Sequence, residues 1–236
     1  MDSQAGGSIG ARLGLVFDRI RRAEQASGRP KGTVRLVAAT KTVTADRIRE
    51  GVAAGLTIAG ENRLQEALTK IESLKGAPIK WHFIGQLQRR KVRSVIGVFE
   101  LIHSVNSFEL AQEIDRRAEA AGIQQAILLE VNIGGEKTKI GFLPGELELT
   151  LAGFETLPHV DVKGLMAIPP PVDTAEEARP YFRTLRELAW RLGRQGIPRI
   201  SMEELSMGMS NDYQVAIEEG ATLVRVGTAI FGARHV

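Results

Sequence analysis

The segment Arg35-Leu36-Val37-Ala38-Ala39-Thr40-Lys41 decides the fold, because it joins a short apolar run to a single amine. A short apolar run between polar residues is typical of a buried β-strand. Successive residues of a strand point to opposite faces, so Val37, Ala39 and Lys41 share one face. Lys41 stands at the carboxyl end of this predicted strand, where parallel α/β folds bind their ligands. An amine in that position can form a Schiff base with an aldehyde, whereas an ordinary strand-end lysine only reaches water.

Composition limits the classes of protein to which this segment can belong. The chain has 236 residues, of which 43% are hydrophobic and 25% are charged, and this suits one large domain or two small ones. It contains no cysteine, which excludes a disulfide framework and cysteine chemistry. No apolar stretch approaches the roughly 20 residues that span a membrane, and Met1 to Gly10 lacks the features of a signal peptide. We therefore expect a cytoplasmic protein that does not bind membranes.

Basic residues are spread along the chain instead of being gathered into one surface. The formal net charge is only +3, and the densest cluster, Arg89-Arg90-Lys91 with Arg93, has no aromatic residues between its members. Nucleic-acid grooves usually combine basic residues with aromatic stacking partners. We expect no nucleic-acid binding. No set of His, Asp and Glu has the spacing of metal ligands, so we expect no metal site either.

Short β-rich runs alternate with amphipathic ones after an initial helix predicted from about Ile9 to Ser27. The eight predicted strands are Arg35 to Lys41, Thr57 to Ala59, Lys80 to Ile84, Phe99 to His103, Ala126 to Asn132, Val160 to Ala167, Glu204 to Met207 and Leu223 to Val226. Eight strand–helix units in a chain of this length fit a (β/α)8 TIM barrel. We therefore predict a single domain over residues 1–236. The alternative is a doubly wound sheet, but no Gly-x-Gly-x-x-Gly motif follows the first strand.

Polar and glycine-rich residues follow the last two predicted strands, at the end of the barrel where such folds place their sites. Ser206 and Ser210 belong to the end of the seventh strand and the loop after it, and Gly227 and Thr228 follow the eighth. Phosphate commonly binds after these two strands, and hydroxyl groups and unobstructed backbone amides suit an anion. Taken singly, Ser210 is equally well explained as a helix cap and Gly227 as a turn residue. Their pairing at one end of the barrel favours a phosphate site.

Six motifs in this order resemble those of the pyridoxal phosphate homeostasis protein family, which is built like the barrel domain of alanine racemase. The resemblance covers nearly the whole chain, and the motifs read Ala38-Ala39-Thr40-Lys41, Gly60-Glu61-Asn62-Arg63-Leu64-Gln65-Glu66, Trp81-His82-Phe83-Ile84-Gly85-Gln86-Leu87-Gln88, Lys163-Gly164-Leu165-Met166, Leu205-Ser206-Met207-Gly208-Met209-Ser210 and Arg225-Val226-Gly227-Thr228-Ala229-Ile230-Phe231-Gly232. The resemblance implies a barrel that carries pyridoxal 5′-phosphate as a Schiff base on Lys41.

The same resemblance implies a role for each of the other candidate residues. Ser206, Ser210 and the amides around Gly227 and Thr228 would hold the phosphate. Arg225 would face the pyridine nitrogen of the cofactor, where a cation opposes protonation of the ring. Two further candidates are Asn62, beside the cofactor, and His82, which is explained equally well as a packed imidazole.

Two functions are compatible with these residues. The first is a protein of intracellular vitamin B6 homeostasis, which binds pyridoxal phosphate without committed turnover and whose partners could include apo forms of enzymes that depend on this cofactor. The second is a small racemase or related amino-acid enzyme, which needs a positioned acid or base. Tyr213, just after the phosphate loop, is the candidate base. We favour homeostasis without catalytic residues, and we expect a monomer or a weak homo-oligomer.

Overall fold

Eight parallel strands form a closed barrel in the computed structural model, which describes residues 7–136 and 138–232. Neighbouring strands pair in chain order, and β1 also pairs with β8. The strands are β1 (Arg35–Ala39), β2 (Ile58–Glu61), β3 (Lys80–Phe83), β4 (Leu101–Val105), β5 (Gln125–Val131), β6 (Val160–Ala167), β7 (Ile200–Ser206) and β8 (Leu223–Val226). The predicted (β/α)8 barrel is confirmed. The predicted domain, residues 1–236, extends beyond the described residues at both ends.

Helices surround the barrel and alternate with its strands. They are α1 (Ile9–Ala26), α2 (Ala45–Ala53), α3 (Leu64–Ser73), α4 (Phe108–Ala121), α5 (Pro144–Thr150), α6 (Arg179–Gly193), α7 (Tyr213–Glu218) and α8 (Thr228–Phe231), with 3-10 turns at Arg89–Ser94, Leu151–Thr156 and Ala175–Ala178. None of the helices in the described ranges is long and apolar enough to cross a membrane.

Helix α1 completes the outer ring, because the helix after β8 has only four residues. It packs against α2, α7 and α8. Ser8 caps its first turn by accepting a hydrogen bond from the amide of Ala11. Its buried face repeats at helical spacing and consists of Ile9, Leu13, Val16, Ile20 and Ala23. Arg12 also donates to the carbonyl of Ile230 in α8 at 2.6 Å, so the predicted extra helix covers the barrel where α8 is too short.

Strand ends account for most of the differences between the predicted and observed elements. The first strand stops at Ala39 instead of Lys41, because residues Thr40 to Val43 form a turn closed by a bond from the Val43 amide to the Thr40 carbonyl. The seventh strand begins at Ile200, four residues before the predicted start at Glu204. Its early residues are partly exposed and lack the apolar run that signals a buried strand.

The barrel contains an apolar layer below a polar one. Six buried side chains from six strands fill the layer: Val37, Ile58, Leu101, Leu128, Met166 and Leu223. A second, larger apolar cluster lies between the outer faces of the strands and the helices. Alternation along each strand then places the next inward residue nearer the carboxyl end of the barrel, where Ala39, His103, Glu130 and Arg225 lie. The site described below stands on this apolar layer.

The chain between α1 and β1 is held by one buried carboxylate, that of Glu24. This side chain is 1% exposed and accepts hydrogen bonds from the amides of Gly32 at 3.1 Å and Val34 at 2.8 Å. Thr33 Oγ1 lies 3.3 Å from the same carboxylate. Because Val34 leads directly into β1, Glu24 fixes the entry of the chain into the barrel.

We expect Glu24→Ala to lower the free energy of unfolding by about 3 kcal/mol, because it leaves the buried Val34 amide and the Gly32 amide without their acceptor. Urea denaturation followed by circular dichroism measures the loss. Glu119→Ala is the control, since Glu119 is an exposed glutamate on α4. Equal unfolding free energies for the two variants would show that the carboxylate does not anchor this loop.

Candidate functional site

Lys41 lies in the turn that follows β1, not on the strand itself. The turn runs from Thr40 to Val43, and Thr42 in its third position has φ of +64°, which side chains other than glycine rarely adopt. Lys41 is half-buried and lines a cavity of about 280 Å³ together with Ala39. Lys41 therefore lies at the carboxyl end of the first strand, as predicted. It belongs to a turn, however, and not to the strand itself.

The cavity that contains Lys41, hereafter the lysine cavity, collects residues from six places in the chain. Its other lining residues are Thr42, Val43, Arg47, Asn62, Ile84, Ile168, Met209, Arg225, Gly227, Thr228, Phe231 and Gly232. Three of its side chains are cationic, namely Lys41, Arg47 and Arg225. In the part of the chain that the structure describes, no aspartate or glutamate lines it. The lysine cavity therefore suits a small anionic ligand.

Asn62, directly after β2, lines the lysine cavity and packs closely against Gly85, which follows β3. A Cβ atom on Gly85 would lie 2.3 Å from the carbonyl oxygen of Asn62, so only glycine fits there. Asn62 lines both the lysine cavity and a third cavity described below. The structure thus brings Asn62 together with Lys41, as the sequence predicts.

Ser210, Gly227 and Thr228 meet in a second cavity of about 740 Å³, hereafter the proline-loop cavity. It takes its name from Pro169 to Pro171, which form one wall, and it shares Arg225, Gly227 and Thr228 with the lysine cavity. The Gly227 amide donates to Ser210 Oγ at 3.4 Å. A Cβ atom on Gly227 would lie 3.1 Å from the Ala39 carbonyl oxygen, so a side chain there would be tightly packed. These three predicted phosphate residues are therefore neighbours.

Ser206, the fourth predicted phosphate residue, lies deeper. It is fully buried at the end of β7, and it is absent from the described lining of both cavities. Arg225 Nη1 donates to Ser206 Oγ at 2.5 Å and to its carbonyl oxygen at 2.8 Å. His103 Nδ1 lies 2.8 Å from the same hydroxyl oxygen. Ser206 therefore holds Arg225 in place beneath the cavities.

A row of four polar side chains crosses the barrel interior in the order Arg225, Ser206, His103 and His82. The His103 Nε2 atom lies 3.0 Å from His82 Nδ1. Burial, together with the charges of Arg35 and Lys80, lowers the pKa of His82 to about 3. Burial likewise lowers the pKa of His103 well below its ordinary value. Both imidazoles are thus neutral near pH 7, and His82 is a packed, hydrogen-bonded side chain outside the described cavity linings.

Arg225 keeps its charge although it is buried inside the barrel. Burial lowers its pKa to about 10, while Asp212 and Glu130 act in the opposite direction. Its Nη2 atom donates to the carbonyl of Ala167 at 3.1 Å, so both terminal nitrogens have acceptors. A guanidinium with these partners is a fixed cation at the floor of the lysine and proline-loop cavities.

Glu130 is a site residue that the sequence analysis missed. It lines a third cavity of about 380 Å³, which shares Asn62, Ile84 and Ile168 with the lysine cavity. Burial raises the pKa of Glu130 to about 7, an effect that Arg225 partly offsets. The available signal was the alternation of β5, which places Ala126, Leu128 and Glu130 on the inner face of the barrel.

Tyr213 does not reach any of these cavities. It is 2% exposed and belongs to the apolar cluster outside the barrel, at the start of α7. Burial raises the pKa of its hydroxyl, and nearby Arg19 only partly counteracts this. The hypothesis that Tyr213 serves as a catalytic base is therefore wrong, because proximity in sequence to the phosphate loop does not bring its side chain to the cavities.

The closed barrel and the lysine cavity at its carboxyl end define a class of protein, the barrels of the alanine racemase N-terminal domain. The family model with that description matches residues 13–235. An alanine racemase from Clostridium difficile has the same fold, with a TM-score of 0.70 at 15% identity over 96% of this chain and 58% of that one.

More similar relatives narrow the class to a family. The chain is 48% identical over 223 residues to the pyridoxal phosphate homeostasis protein of Aquifex aeolicus, covering 94% of this chain and 97% of the relative. It is 43% identical to the protein of that name from Pseudomonas aeruginosa, with 96% of each chain covered. The structure of PipY from Synechococcus elongatus with PLP bound has a TM-score of 0.82 at 38% identity, over 95% of this chain and 100% of that one. This chain belongs to the pyridoxal phosphate homeostasis protein family.

Burial of the neutral His82 predicts that the folded protein loses stability in acid. The pKa of His82 is lowered in the folded state, so the neutral side chain contributes to the free energy of unfolding. This contribution is fully present above pH 6.5, the ordinary pKa of histidine, and is lost as the pH falls towards 3. We expect the loss to reach about 2 kcal/mol at pH 5. His82→Gln should flatten the dependence of unfolding free energy on pH across this window.

Chemical denaturation at several pH values measures that dependence. His159→Gln is the control, because the His159 side chain is 31% exposed. If the curve of His82→Gln runs parallel to that of the unsubstituted protein, burial of His82 is not the source of the acid sensitivity.

Proposed function

We propose that this chain binds pyridoxal 5′-phosphate as a Schiff base on Lys41 and serves intracellular homeostasis of that cofactor. The observation that carries the proposal is the lysine cavity, in which an amine, two guanidinium groups and an asparagine converge without a lining carboxylate in the described chain. The naming of the relatives and the PLP-bound structure of PipY support the same function.

The residues at the site fit the chemical groups of this cofactor. Its phosphate is an anion, and the Ser210 hydroxyl with the backbone around Gly227 and Thr228 supplies neutral donors beside the fixed charge of Arg225. Its aldehyde requires an amine, which Lys41 supplies in the adjoining lysine cavity. Ser206 can add a phosphate contact only by giving up its bonds to Arg225 or His103. We therefore assign the phosphate mainly to Ser210, Gly227 and Thr228.

Attachment needs only the amine of Lys41 and the aldehyde. The deprotonated Nζ atom attacks the aldehyde carbon, a C–N bond forms, and the former carbonyl oxygen leaves as water with two protons, which balance the two that the amine nitrogen loses. The product keeps a carbon–nitrogen double bond, and no oxidant or reductant is consumed. Borohydride reduces that double bond and makes the attachment permanent.

Arg225 favours storage of the cofactor over its use in turnover. When bound, pyridoxal phosphate supplies an electron sink that stabilises carbanions. We propose that the Arg225 guanidinium faces the pyridine nitrogen, since it is a buried cation fixed by the carbonyls of Ser206 and Ala167. A cation there opposes protonation of the ring, and an unprotonated ring is a poorer sink.

Apo enzymes that depend on pyridoxal phosphate are the recipients we propose. Three exposed apolar side chains stand at the cavity mouths, Ile140 at 48%, Ile168 at 40% and Met209 at 38% exposure. Exposed apolar residues around a site favour transient contact with another protein. The proposal includes a cytoplasmic location and a monomer or weak homo-oligomer.

The attachment is tested by substitution and chemical trapping. We expect the purified protein, incubated with pyridoxal phosphate and reduced with borohydride, to carry a pyridoxyl group on Lys41. Lys41→Ala should lose that adduct and keep its melting temperature, because the half-buried side chain points into a cavity. Peptide mass spectrometry locates the adduct.

Lys139→Ala is the matched control, since Lys139 lines the two neighbouring cavities instead of the lysine cavity. It should retain the adduct on Lys41. An adduct that survives in Lys41→Ala and disappears in Lys139→Ala would overturn the assignment.

Glu130 allows a direct test of the alternative, a small amino-acid racemase. Its pKa of about 7 suits a proton acceptor, and its cavity adjoins the lysine cavity. Because Arg225 restrains carbanion chemistry, we expect the loaded protein to exchange the α-hydrogen of alanine in deuterated water no faster than the Lys41→Ala variant. Proton NMR measures this rate. Faster exchange that Glu130→Gln abolishes would establish an enzyme instead.

A further inference from the structure

A buried ion-pair network holds the turn that presents Lys41. The Lys70 side chain extends from α3 and is 7% exposed. Its Nζ atom lies 2.8 Å from Glu61 Oε1 and 2.6 Å from Glu66 Oε1. It also donates to the carbonyl oxygen of Thr40 at 2.6 Å. One ammonium group thus joins the end of β2, helix α3 and the end of β1.

The network contacts the residues on both sides of Lys41. On one side, Thr40 Oγ1 donates to Glu61 Oε1 at 2.6 Å, and the Thr40 carbonyl accepts from Lys70. On the other side, the Thr42 amide donates to Glu66 Oε1 at 2.6 Å. Glu61 and Glu66 are in turn bridged by the same Lys70 ammonium. The backbone of Lys41 is therefore fixed from both sides by three side chains that do not line the lysine cavity.

Two features suggest that this arrangement serves Lys41 and not the fold alone. Thr42 has φ of +64°, a strained conformation for a non-glycine residue that persists only where the surroundings impose it. A buried ion pair also contributes less to stability than well-packed apolar residues of similar volume in several proteins. The turn that carries the amine thus combines a strained backbone with a buried ion pair, and neither feature is the most stable choice for the fold.

We propose that Lys70, together with Glu61 and Glu66, is a positioning residue that holds the Lys41 amine in the lysine cavity. This inference rests on the proposed attachment of pyridoxal phosphate to Lys41. Once the cofactor is bound, an amine already held in place loses less conformational freedom when the C–N bond forms, so a freely moving Lys41 forms the Schiff base less favourably. The phosphate residues lie on other elements, after β7 and β8, and they do not depend on this network.

The test uses the double variant Lys70→Met/Glu61→Gln. Lys70→Met alone would leave the Glu61 carboxyl buried without its cation, and that can unfold the protein. The double variant removes both charges with little change in size and keeps an acceptor for Thr40 Oγ1. Absorbance titration with pyridoxal phosphate and borohydride labelling of Lys41 give the affinity and position of the Schiff base. We expect about a tenfold loss of affinity, equivalent to about 1.4 kcal/mol.

A matched control lies on the same side of the barrel. Glu72 and Lys75 form an exposed pair at the end of α3, 3.8 Å apart, with side chains 78% and 80% exposed. Lys75→Met/Glu72→Gln removes the same charges and should leave the affinity unchanged. Glu66→Ala provides a second variant at the partly exposed end of the network, and it should weaken the Schiff base in the same direction.

Pyridoxine 5′-phosphate separates positioning from general damage to the site, because it has the ring and phosphate but no aldehyde. Its binding, measured by calorimetry, should be unchanged in Lys70→Met/Glu61→Gln. Equal losses for pyridoxal phosphate and pyridoxine phosphate, or no loss for either, would overturn the positioning role. Failure of the unsubstituted protein to form any adduct at Lys41 would instead overturn the proposed function on which this inference rests.

Discussion

The pairing of β1 with β8 is the interaction on which the site depends. It places Val37 opposite Arg225 and Ala38 opposite Val226, although these residues stand near opposite ends of the chain. The turn after β1 and the loop after β8 therefore open into the same cavity, which brings Lys41 beside Gly227 and Thr228. Barrel closure thus joins the amine to the backbone that we propose binds the phosphate, and it also removes the exposed edges that an open sheet would present.

The interior of the barrel shows how a cation is kept below that cavity. Arg225 is buried, and burying a charge without partners is costly. Its nitrogens donate to Ser206 and to the carbonyl of Ala167, and the Ser206 hydroxyl also contacts His103. The neutral histidines extend this polar chain across the barrel without adding charge. The result is a rigid positive floor above an apolar layer, which is suited to holding an anionic ligand tightly in one orientation.

Several features of the site could be predicted from the sequence because they are local. The apolar run before Lys41, the asparagine after β2, and the serine and glycine loops after β7 and β8 each follow a strand that its own pattern identifies. In a parallel barrel all such strand ends meet at one face, so order along the chain is enough to predict that these residues converge. Periodicity likewise identified α1 and all eight strands, with errors mainly at their ends.

Other features depend on the direction and neighbours of individual side chains, which sequence spacing does not specify. Ser206 and Ser210 stand in one motif, yet Ser206 faces the barrel interior and Ser210 faces a cavity. Tyr213 follows the same loop but packs against the helices.

The sequence by itself determined the barrel and the set of strand-end residues, because strand periodicity and chain order are local properties. Tertiary structure alone decided that Lys41 lies in a strained turn, that Lys70 holds the residues beside it, and that burial raises the pKa of Glu130. These three features depend on contacts between segments that are distant in the sequence. Such contacts hold the turn in its strained conformation, bring the ion pair together and exclude water from the carboxyl group.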